Sequence, residues 1–164
     1  MNSGTVRISM APIEAVQLAE ILGEFADLVG GQRDLSDPAV ARLTPSAYPD
    51  DADAADEFAA ATRDELLDRR SADTATVRAA LEPLRSEFAD LTEEQAFAEH
   101  DLAIEASDVD AWLRTLTAVR LVVATRLGIV DDEHHDPEDR RFHVYDWLGY
   151  RLELLIEAAD ESLD

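Results

Sequence analysis

Cysteine and lysine are both missing from this chain, and glycine, proline and aromatic residues are sparse. Without cysteine there is no structural disulfide, thiolate zinc site, cysteine nucleophile or thiol redox switch. Only 6 glycines occur, and none sits in a G-x-G-x-x-G or P-loop pattern that would cradle phosphate, which argues against nucleotide binding. Long hydrophobic runs are missing too. The apolar stretch around Leu121 to Val130 is interrupted by Arg126 and is too short to span a bilayer. The first residues, Met1-Asn2-Ser3-Gly4-Thr5, lack the basic and apolar regions of a signal peptide, so a soluble cytoplasmic protein is expected.

Positive charge is the scarcest commodity. All 14 basic residues are arginine, set against 37 acidic residues, for a net charge of -23. Such a surface repels phosphate, so naked DNA, RNA and anionic membranes are poor partners, while a protein with a basic face is favoured. Arginine without lysine, beside abundant alanine, fits the codon bias of a GC-rich genome better than adaptation to salt. Neither explanation bears on mechanism.

What remains is ample for folding. A chain of 164 residues, 46% hydrophobic, suits one domain over residues 1–164. The patterning predicts a mainly α, single-domain helical bundle with a small two-stranded antiparallel sheet. Thr5 to Met10 alternates with period two, Leu102-Ala103-Ile104-Glu105 is a second short strand candidate, and residues 5–9 are expected to pair with 102–105. Pro12 suits the first turn of a helix whose apolar stripe is Leu18, Ile21, Leu22, Phe25 and Leu28, ended by Gly30-Gly31. Asp37-Pro38 reads as a cap and first turn for a short helix to about Leu43.

An alanine-rich helix is expected from Asp53 to about Glu82, with Phe58, Ala59, Leu66, Val77 and Leu81 inward. Ser71 to Thr76 is its weak point, and Pro83 kinks it or restarts it. Thr92-Glu93-Glu94-Gln95 is a capping box. A central helix follows to about Leu127, apolar on most sides and stopped by Gly128. Asp136-Pro137 is expected to open the last helix, with Phe142, Tyr145, Leu148, Leu152, Leu155 and Ile156 as its core stripe.

The chemistry-bearing clusters are few. Asp131-Asp132-Glu133-His134-His135-Asp136 alone combines metal-ligand types, which makes His134, His135 and Asp136 candidate ligands for zinc, manganese or nickel. Neighbouring loop residues rarely converge on one ion, so a solvated interhelical loop is the favoured reading. His100 and His143 have no nucleophile elbow or triad pattern beside them. The acidic runs Asp50 to Glu57 and Glu93 to Asp101 lack EF-hand spacing and read as solvated faces. No catalytic or cofactor-binding residue is identified.

Arg114, Arg120 and Arg126 recur at six-residue steps, roughly 240° apart around a helix, so they form no basic stripe. Pairing with acids of neighbouring helices is their expected role, with Arg120 kept as a candidate partner contact. Trp112 and Trp147 fall on or beside apolar stripes and are expected in the core. Tyr145-Asp146-Trp147 is nonetheless a candidate surface patch, with Tyr145 and Trp147 as anchors if they face outward.

Three blocks then stand out together: Asp37-Pro38-Ala39-Val40-Ala41-Arg42-Leu43 with Pro45-Ser46-Ala47-Tyr48; Ala111-Trp112-Leu113-Arg114-Thr115-Leu116 running to Gly128-Ile129; and Val144-Tyr145-Asp146-Trp147-Leu148. In their order and spacing they resemble the actinobacterial oxidative-stress regulator AosR family. The resemblance implies a non-enzymatic transcription regulator that acts by contact with a sigma factor or RNA polymerase. Redox sensing in such a regulator would use a cysteine pair, which this chain lacks. A metal-site enzyme using the His134/His135 loop, and an acidic adaptor or nucleic-acid mimic, are the alternatives.

Overall fold

The computed structural model describes residues 4–45, 50, 52–129 and 135–163; of residues 52, 54–56 and 58–61 it describes the backbone alone. Among the described residues the chain forms two β-strands and six α-helices, the mainly α architecture expected from the sequence. Strand β1 (Thr5–Met10) pairs antiparallel with β2 (His100–Glu105), from Thr5 opposite Glu105 to Met10 opposite His100. The period-two pattern explains the pairing. Val6, Ile8 and Met10 point inward and are buried, and Val6 sits opposite Ile104 on the same face.

Helix α1 (Pro12–Val29) starts at the proline and ends at Gly30; Leu18, Leu22, Phe25 and Val29 face the core. Asp37 accepts the Ala39 N–H at 2.8 Å and caps α2 (Pro38–Leu43), as the Asp-Pro pair predicted. Helix α3 (Ala52–Glu87) runs for 36 residues, roughly 54 Å at about 1.5 Å per residue, and packs against α1 and α5. Its end and its inward face differ from expectation. Pro83 does not restart the helix: α3 runs on through it to Glu87, past the expected end at about Glu82. Ser71 to Thr76 is continuous helix: Thr74, fully buried, donates its hydroxyl to the Arg70 carbonyl at 2.7 Å. Leu67, rather than Leu66, faces the core with Thr74, Val77 and Leu81; the Phe58 and Ala59 side chains lie outside those described.

Thr92 and Gln95 close the expected capping box of α4 (Glu93–Phe97). Helix α5 (Val109–Leu127) is central, packing against α2, α3 and α6 (His143–Glu161), with Trp112, Leu116 and Val119 buried. Gly128 stops it in the left-handed region at φ 73°. Gly128→Ala is therefore expected to lower stability by about 1 kcal/mol in urea unfolding, the strain a Cβ meets there. Thr115 is also buried in α5, and its hydroxyl has no hydrogen-bond partner among the described residues. Thr115→Val keeps the shape and removes the unsatisfied group, so a gain of about 1 kcal/mol is expected in the same measurement.

The start of α6 differs from expectation. Asp136 accepts the Glu138 N–H at 2.9 Å and turns the chain, while Asp139 caps a single 3-10 turn, Arg140–Phe142, ahead of the helix. The Arg141 guanidinium and amide beside Asp139 hold its carboxyl down to about 2. Ile156, expected in the α6 stripe, is exposed, and Arg151 takes a core position instead.

Candidate partner-binding surface

The arginines of α5 divide as their angular spread requires. Arg114 forks onto Asp73 of α3, with Nε and Nη2 at 2.8 and 3.0 Å from its two oxygens. Arg126 forks onto Asp37 at 2.8 and 2.7 Å, using the carboxylate that also caps α2. That pairing and the Ala39 N–H hold the Asp37 carboxyl below its ordinary range. Arg120 does something else. Its guanidinium lies 3.9 Å from the centre of the Tyr145 ring, and its Nε donates to the Tyr145 carbonyl at 3.3 Å.

The proposed aromatic patch is corrected by that contact. Tyr145 is only 6% exposed, so Tyr145 and Trp147 do not face outward together and Arg120 is engaged inside the fold. Trp147 is half-buried, and its Nε1 donates to Glu14 Oε1 at 2.9 Å. Around Glu14 the side chains form a tight polar knot. Arg151, 7% exposed, bridges Glu14 and donates to the Ser9 carbonyl, while the other Glu14 oxygen accepts the Ala11 N–H at 3.1 Å. Burial alone would raise the Glu14 carboxyl, but Arg151, Trp147 and the Ala11 amide together bring it below its ordinary range.

The histidine loop is only partly in view. His134 lies outside the described residues. His135 Nε2 sits 2.8 and 2.9 Å from the two oxygens of Asp146, and its ring stacks on Phe142 at 4.3 Å. Asp136 is exposed and occupied with its turn. Among the described residues no three His, Cys, Asp or Glu side chains are grouped as a metal site requires. His135 and Asp136 make two different local contacts.

Two surface depressions were not foreseen as a site. One, of about 280 Å³, lies between α1 and the C-terminal half of α5, lined by Ile21, Leu28, Val122 and Val123. The other, of about 370 Å³, lies between α1 and the start of α6, lined by Gln17, Ile21, Val144 and Trp147. Ile21 lines both, and the two occupy successive stretches of α1, Gln17 to Ile21 and Ile21 to Leu28, as a channel of two parts. The sequence carried part of the signal: Leu121 and Val122 put apolar surface off the main stripe of α5. Glu20 and Glu24 also line the channel, and with Asp27 they make an exposed acidic stripe at i, i+4 and i+7.

Comparison with known proteins adds one result. A family model, described as Domain of unknown function (DUF2017), matches residues 1–159. The chain belongs to the DUF2017 family. No curated protein and no solved structure matches the chain. No described helix of this DUF2017 chain is long and apolar enough to cross a membrane.

Proposed function

We propose that this DUF2017 protein is a non-enzymatic cytoplasmic regulator that acts by contact with another protein through its acidic helical surface. The carrying observation is how its cations are used. Arg33, Arg69, Arg85, Arg114, Arg126, Arg141 and Arg151 are each paired with an acid of the same chain, and with 37 acids against 14 arginines the acid left over is in large surplus. A surface with net charge -23 meets a basic protein face readily and a phosphate backbone poorly. The resemblance to AosR regulators supports a sigma factor or RNA polymerase as that partner, reached without a cysteine-based sensor.

Fluorescence anisotropy with labelled duplex DNA, and sedimentation with purified RNA polymerase and its sigma factors, test the proposal together. No DNA binding by the chain alone and a salt-sensitive complex with one of those proteins are expected. Tight, sequence-specific DNA binding by the purified chain, or no complex with polymerase or sigma factor, would overturn it.

A further inference from the structure

Building on that reading of a basic protein partner, we infer that the channel along α1 is the docking site for a basic amphipathic helix of the partner. Shape comes first. The channel floor is built by ridges of α1, α5 and α6, and from Gln17 to Leu28 it runs about 17 Å at about 1.5 Å per residue. That length accepts about three turns of a guest helix, whose anchors at i, i+3, i+4 and i+7 span about 10.5 Å, the same rise as from Ile21 to Leu28. Val144 is 43% exposed in the free chain, and Ile21, Val122 and Trp147 are half-buried, so apolar surface is there to be covered.

Charge decides the occupant. Glu20, Glu24 and Asp27 form the rail on the α1 side, in position to meet lysine or arginine on the flank of the guest. The one arginine in the lining, Arg126, already has both terminal nitrogens on Asp37 and does not offset that rail. The tryptophan is likewise committed: its N–H is held by Glu14, which leaves only its apolar ring to the channel. A second copy of the chain would bring acidic rail against acidic rail, each copy at net charge -23. An acidic or neutral helix would leave the rail unmatched.

The test uses the full chain and two fluorescein-labelled peptides of about 18 residues, long enough for helix to form on contact. One carries leucine at i, i+3, i+4 and i+7 with lysine elsewhere; the other has the same residues scrambled. The amphipathic peptide should bind at least about tenfold more tightly than the scrambled one. Val144→Asp, at an exposed position, should abolish that preference, and Glu20→Lys/Glu24→Lys should weaken binding at least about tenfold. Thermal unfolding of each variant confirms that the fold is intact. Equal binding of both peptides, unchanged by Val144→Asp, overturns the channel while leaving a charge-driven partner contact standing. No binding of either peptide overturns both. Sedimentation showing a dimer that Val144→Asp dissociates assigns the channel to a second copy and equally sinks the proposal.

Discussion

Replacing Arg151 with alanine is expected to cost about 3 kcal/mol of unfolding free energy, a large share of the stability of a domain this size. Arg151 is 7% exposed and is the hinge between three elements: it pairs with Glu14 at the start of α1, donates to the Ser9 carbonyl of β1, and stands on α6. Truncating it leaves the Glu14 carboxylate and a strand carbonyl short of partners in a partly dry site, which costs more than the pair itself contributes. Urea unfolding at neutral pH reads the loss. Arg151→Met/Glu14→Gln should recover only part of it, because Trp147 Nε1 and the Ala11 amide use the two carboxylate oxygens of Glu14, and an amide offers an acceptor to only one of them. Loss of less than about 1 kcal/mol in Arg151→Ala would mean that water already satisfies this site.

The same knot fixes a pH dependence. Burial, by itself, raises the Glu14 carboxyl, yet the bonds from Arg151, Trp147 and Ala11 leave it lower in the folded chain than in the unfolded one. Its contribution is therefore present in full above the unfolded value and is lost as pH falls through the folded value. In Arg151→Ala the main bond that depresses it is gone. The stability difference between wild type and variant should shrink as pH is lowered through the acid range.

Local rules carried most of the architecture because local chemistry decides it. Asp37-Pro38, the capping box at Thr92 and the stop at Gly128 act within a turn, and each lies where the sequence placed it. The pairing of residues 5–9 with 102–105 was legible for another reason: two short strand candidates, each preceding a helix, had no other strand to pair with. Asp136-Pro137 misled because the same dipeptide that caps a helix also makes a turn. Only the longer-range docking of His135 on Asp146 and Phe142 shows that the helix waits until His143.

The site was less legible, since it depends on which faces meet. Tyr145 and Trp147 fit an exposed anchor pair as well as a core pair until Arg120 is seen over the tyrosine ring. The Glu14–Arg151 knot left a trace in the sequence. Arg151 lies three residues after Leu148 and four before Leu155, in the middle of an apolar stripe, where an arginine requires a buried partner. Its partner stands in a helix at the other end of the chain, and no spacing rule reaches that far.

Gly149→Ala should lower stability by about 1 kcal/mol in wild type yet raise it by about 1 kcal/mol in an Arg120→Ala background, as read by urea unfolding. Glycine inside a helix is normally a liability, and alanine there gains about 1 kcal/mol in propensity. At Gly149 the space is taken. A Cβ would stand 3.1 Å from Arg120 Nη2 and 3.2 Å from its Cζ and Nε. A long side chain usually gives way, but this guanidinium is held over the Tyr145 ring and bonded to the Tyr145 carbonyl, one helical turn before the glycine. Even a shift of a few tenths of an ångström stretches the 3.3 Å bond and disturbs the ring contact, which together outweigh the propensity gain. Removing the Arg120 side chain first empties the space and leaves only the benefit of alanine. A coupling of about 2 kcal/mol between the two positions follows. Additive effects within about 0.5 kcal/mol would show that Arg120 slides aside freely, and that Gly149 is not required for the guanidinium to pack against α6.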